Sequence, residues 1–352
     1  MQDKRGDHVE NGANLIQRVE SPWSWGTLSV LIAAGLSYAA ILCAFWFTAR
    51  RFAIEDRIGG HFSTAFASFA LLLLPYWAFG FGAADWLRHT LTSASSRVLA
   101  PSLLLIPYFV FAVPRGEFRP LIAVTVVAIP IAVAALFEFF PPGGARDSQA
   151  GITWQDVVAL LLIGVPVEFG LLQGAWPHPG LGSMPKLLLM DAALYAFLVV
   201  RGLDGVGYDF RPRLRDLLVG LREWAFYAPI AIVLGFVLKF IVFQPHVPIA
   251  WTVATAWLIT FFFVALPEEL FFRGLLMNLL ERRMGTRSAL ILSSIIFGLS
   301  HFNKPLPFNW RYVIMATIAG VFYARAWRDR RRLLSSGITH ATVDVVWSVW
   351  FR

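Results

Sequence analysis

The run WTVATAWLITFFFVALPEELFFRGLLMNLLER, Trp251 to Arg282, decides the fold. Residues 251–283 read as one helix of about 50 Å at ~1.5 Å per residue. That is longer than a hydrocarbon core of about 30 Å. Within it stand two adjacent carboxylates, Glu268 and Glu269, with Arg273 one turn beyond. Each charge at the centre of a bilayer costs about 2.5–3.5 kcal/mol on insertion scales. Pro267 removes a backbone donor just before the glutamates, which predicts a kink there.

The remainder of the chain is similarly apolar. Of its 352 residues 57% are hydrophobic and 15% charged, against about 25% charged in a soluble domain. Mean hydropathy is +0.63. Apolar runs at roughly 27–48, 62–83, 98–113, 119–140, 156–174, 186–201, 224–243, 251–280, 288–303, 311–327 and 336–351 predict an all-α, polytopic transmembrane bundle of roughly 8–11 membrane segments. No removable signal peptide is expected, because the first apolar stretch is long enough to span.

The net charge is +8, and of the 30 cationic residues only Lys4, Lys186, Lys239 and Lys304 are lysines. The arginines cluster between apolar runs, at 201–222, 282–287 and 325–332. This pattern fits loops held on the cytoplasmic side rather than a nucleic-acid surface, so no nucleic-acid partner is expected. The sole cysteine, Cys43, excludes a disulfide framework within one chain. Three regions are expected: a polar tail at 1–25, a variable transmembrane region at 26–205, and a core at 206–352 that holds the chemistry.

In that core the ionisable residues recur at helical spacing. Glu269 and Arg273 stand i, i+4 and can pair, while Glu268 points about 100° away. Phe297 and His301 share a face, and so do His340 and Asp344. Arg282, Arg287 and Arg332 mark one membrane face. From it Glu268 and His301 lie about 21 Å deep, His340 about 12 Å and Asp344 about 18 Å, at ~1.5 Å per residue. Ionisable groups gathered at one depth mark a functional cavity. Taken singly, each has a plainer reading: a buried ion pair, a packing histidine, a His–Asp pair near a helix start. Glu168 and Asp191 are expected to be hydrogen-bond partners, and His178 and His246, in Pro-rich connections, to be exposed.

A carboxylate beside an imidazole can deprotonate a water directly or through a bound metal, and a second imidazole can donate to a tetrahedral oxyanion. Nothing resembles a serine or cysteine nucleophile with its elbow. Hydrolysis of an amide by activated water is therefore the natural chemistry. Glu268, His301 and His340 are also the candidate metal ligands, since two His and a Glu suit Zn²⁺ with an open position. The same groups suit a metal-free glutamate hydrolase, and no H-E-x-x-H helix is present.

Glu268-Glu269-x-x-x-Arg273, Phe297-x-x-x-His301 and His340-x-x-x-Asp344, in that order, resemble the motifs of the CPBP intramembrane proteases. That family takes in CAAX prenyl endopeptidases and bacterial proteins linked to bacteriocin processing or self-immunity. The resemblance covers about residues 215–352. It implies a multi-helix endopeptidase with a conical cavity, Glu268 as general base assisted by His301, and His340 with the last motif position stabilising the oxyanion. Glu269, Arg273 and Phe297 would shape the site. The last position is often Asn in the family and is Asp344 here, so either a protonated Asp344 donates to the oxyanion or Asp344 orients His340.

The expected partners are membrane lipids and a peptide or lipidated-peptide substrate, and the expected location is the cell membrane. Two other classes compete: a non-catalytic scaffold or immunity protein of the same fold, and an ion-coupled transporter, for which no inverted repeat is evident.

Overall fold

A computed structural model describes residues 27–58, 60–143, 150–245, 247, 249–304 and 307–351. The expected polar tail and His246 lie outside the described residues. Among the described residues, eleven main helices occupy the eleven expected runs. They are α1 (Leu28–Arg51), α2 (Phe62–Phe79), α3 (Ala94–Ala112), α4 (Pro120–Phe139) and α5 (Trp154–Glu168). α6 (Met184–Leu194, continued through Tyr195–Val200), α7 (Leu214–Val237) and α8 (Ala250–Met284) follow. α9 (Thr286–Leu299), α10 (Trp310–Arg330) and α11 (Leu333–Trp350) complete the set. Among the described residues the one strand-like pairing is an isolated bridge between Phe243 and Phe351. α1, α2, α3, α4, α7 and α8 are long and apolar enough to cross a membrane.

One hydrophobic core runs from Val30 on α1 to Ala341 on α11. α9 and α11 pack on α8, α10 packs against α9 and α11, and α7 against α10 and α11, whereas α2 to α6 form the other side, and α6 meets α8 at the glutamates. α9 and α10 approach so closely at Gly298 that a Cβ there would lie 2.7 Å from the Val313 carbonyl oxygen. Only glycine permits that approach.

Two buried ion networks fix helix ends. Asp156 closes a capping box on Thr153 at the start of α5 and pairs with Arg201 at the end of α6. Arg332, just before α11, donates to Asp216 at 2.8 Å, to Asp209 at 2.6 Å and to the Arg211 carbonyl. The Leu333 amide donates to the Gly207 carbonyl at 3.0 Å. The 201–213 loop thereby sets where α11 begins and hence the register of His340. Arg282 binds Asp204, and Arg331 binds Asn278 and Glu281, so the three basic clusters converge at one end of the bundle.

The expected kink at Pro267 takes another form. α8 continues through it, with widened π-type turns at Phe261–Ala265 and Leu270–Met277 on either side of Leu266–Glu269. Such widened turns shift the phase of a helix without breaking it.

Candidate active site

The α8 segment between the two widened turns sends its carboxylates in different directions. Glu269 is fully buried. Its Oε1 accepts from Arg273 Nη1 at 3.1 Å and lies 2.8 Å from His340 Nδ1. Arg273 Nη2 donates to the Gly320 carbonyl at 3.1 Å, and the guanidinium lies 4.4 Å from the centre of the Phe297 ring. A buried charge requires such pairing and ring contact.

His340 stacks on Tyr323 with ring centres 4.4 Å apart and planes 15° apart. Because its Nδ1 faces a carboxylate, that nitrogen carries the proton. Nε2 then faces Asp344 Oδ2 at 3.5 Å and Glu268 Oε2 at 3.9 Å. The residue that orients His340 through Nδ1 is thus Glu269, not Asp344. The pair is also not at a helix start, since α11 begins at Leu333.

His301 lies just beyond α9, which ends at Leu299 rather than continuing to 303. Its Nδ1 donates to the Phe297 carbonyl at 2.9 Å, which leaves Nε2 as the acceptor. Tyr312 covers the ring at 4.7 Å between centres.

Glu268, His301, His340 and Asp344 line one cavity of about 340 Å³, together with Tyr227, Tyr312, Tyr323 and Trp347. A second, mostly apolar cavity of about 540 Å³ opens between α5, α6, α8 and α9. Glu268, Lys186 and Lys304 line both. Lys186 Nζ on α6 lies 3.5 Å from Glu268 Oε1, and Lys304 pairs with Glu168 at 2.8 Å.

Several neighbours were not legible as site residues. Lys186 stands alone near the start of an apolar run, and Tyr312, Tyr323 and Gly320 belong to no charged spacing in the sequence. The two other acids diverge: Glu168 has its partner in Lys304, but both carboxylate oxygens of buried Asp191 lack a hydrogen bond. His178 is not freely exposed. Its Nε2 meets Glu117 Oε1 and Arg115 Nη2, each at 2.9 Å. There partial burial raises the Glu117 carboxyl, but hydrogen bonds from His178 and Arg115 outweigh it and hold the group below its usual range.

Among the described residues no three His, Cys, Asp or Glu side chains stand together around one point. His340 Nδ1 is engaged by Glu269 and His301 Nδ1 by a carbonyl, so each ring has its Nε2 left for the cavity.

The fold and this polar cavity define an integral, polytopic helical membrane protein with an ionisable centre. Within it, residues 250–346 match the family model described as type II CAAX prenyl endopeptidase Rce1-like, in keeping with the CPBP resemblance of the motifs. That segment holds all seven motif residues and stops short of α6. No curated protein and no solved structure matches the chain.

Proposed function

We propose that the protein is an intramembrane endopeptidase in which Glu268 activates a water for attack on a peptide bond. One observation carries the reading. Of the two adjacent glutamates, Glu269 is locked by Arg273 and His340, whereas Glu268 faces the cavity with its nearest charged partners at 3.5 and 3.9 Å. Those separations exceed a direct hydrogen bond and leave the carboxylate oxygens open to the cavity.

In this reading Glu268 takes the proton of the attacking water and His301 Nε2 shares it, to be returned to the leaving amine. His340 enters the step as an imidazolium, held between Glu269 at Nδ1 and Asp344 at Nε2, and donates from Nε2 to the developing oxyanion. Asp344 lies beside it as the other candidate donor. Arg273 and Phe297 hold Glu269 and His340 in place.

The substrate class is a membrane-associated peptide, lipidated or prenylated substrates included, and the apolar second cavity suits an apolar chain beside Glu268. The catalytic unit is assigned to 206–352, with 26–205 supplying one wall through Glu168 and Lys186. The cell membrane is the proposed location. The reading is tested by comparing membrane-anchored peptides in cells expressing wild-type protein or Glu268→Ala. A peptide that accumulates uncut only with the variant supports it. Identical peptide profiles overturn it.

A further inference from the structure

Two of the chain's four lysines flank the carboxylate to which the base role is given, where the two cavities meet. Lys304 is engaged with Glu168 at 2.8 Å. Lys186 has a different neighbour, Glu268 itself, at 3.5 Å. It projects from the first turn of α6, and its side chain is 24% exposed against 20% for Glu268. The other ionisable groups around Glu268 are Glu269 on its own helix, His301 and Lys304 after α9, and His340 and Asp344 on α11. Of the cations, Arg273 is committed to Glu269 and Lys304 to Glu168.

A carboxylate in a bundle core stays charged only beside a countercharge. Lysine suits that task without capping the oxygens, because its ammonium is a point charge on a flexible stem, whereas a guanidinium would engage both oxygens as a fork. We infer that Lys186 is the positioning residue for Glu268: it supplies the countercharge and keeps the carboxylate turned to the cavity. A residue outside the family match thus completes the site. This inference rests on the reading of Glu268 as the base, but the charge pairing can be measured without any substrate.

The test uses the full chain in detergent, with dicyclohexylcarbodiimide as the probe. This reagent attacks carboxyl groups that are protonated in apolar surroundings. Labelling of Glu268 is followed by peptide mass spectrometry, with the buried Asp191, outside this cluster of charges, as internal reference. Lys186→Met is expected to label Glu268 on the order of tenfold faster than wild type, and Lys186→Arg at near the wild-type rate. Equal rates in wild type and Lys186→Met overturn the inference, whatever happens to activity. Cleavage of a quenched peptide carrying a farnesylated cysteine gives the second readout. Lys186→Met should lower kcat on the order of tenfold with KM little changed. A raised KM at unchanged kcat would make Lys186 a substrate contact and overturn the positioning role. If Glu268→Gln still cleaves while the labelling difference persists, the base assignment fails and the Lys186–Glu268 pairing stands.

Discussion

Arg273 and His340 converge on the same oxygen, Oε1 of Glu269, from 3.1 and 2.8 Å. One carboxylate therefore ties the middle of α8 to α11 and, through Arg273, to the Gly320 carbonyl on α10. Removing one partner of a buried pair leaves the other charge stranded. Glu269→Ala should destabilise the protein by about 3–5 kcal/mol, read as a lower unfolding midpoint in detergent. An unchanged midpoint would show that Arg273 finds another partner.

The hold of Glu269 on His340 Nδ1 frees Asp344 from orienting the ring. Asp344→Asn should therefore retain hydrolysis, since an amide can donate to an oxyanion that an ionised Asp would repel. Asp344→Leu should lose about 10²–10³ in kcat, as for one lost oxyanion donor. Kinetics on a quenched prenyl peptide decides. A hundredfold loss in the Asn variant would mean that the carboxylate itself is required.

Gly298→Ala tests how the second helix of the site is placed. The new methyl would meet Thr317 Oγ1 and stand 2.7 Å from the Val313 carbonyl oxygen, and backbone cannot move aside cheaply. Overpacking of this kind costs about 1–3 kcal/mol. It should also displace His301, three residues on, so activity should fall together with the unfolding midpoint.

Asp209, in the 201–213 loop, gives a pH dependence of known sign. Burial raises its carboxyl, but hydrogen bonds from Arg211 and the charge of Arg332 prevail and hold it below the ordinary 3.8. A lowered folded value means that the folded state favours the ionised form. Its contribution is complete above the ordinary value and is lost as pH falls through the lowered one. Asp209→Asn should lower the unfolding midpoint at pH 6 and leave a smaller difference from wild type at pH 3. A constant difference across that range would contradict the assignment.

The helices were legible because a membrane span needs only length and apolarity, and the long motif helix was visible from its run alone. Spacing also gave Glu269–Arg273, where both partners lie on one helix. Contacts between helices were not legible: nothing in the residue order links Glu269 to His340 or Lys186 to Glu268. The apolar run to 303 predicts a helix through His301, but the helix ends two residues earlier, at Leu299. Residues 300–304 form a turn that positions Lys304 as well as His301, and the apolar run does not reveal that turn.

The central claim is that Glu268 is the base that activates water. Its most direct test is cleavage of a farnesylated, internally quenched peptide by purified protein in liposomes, comparing wild type with Glu268→Gln. The account predicts turnover by the wild type and a loss of at least about 10²-fold in the variant, with the unfolding midpoint preserved. Turnover by Glu268→Gln at the wild-type rate would contradict it.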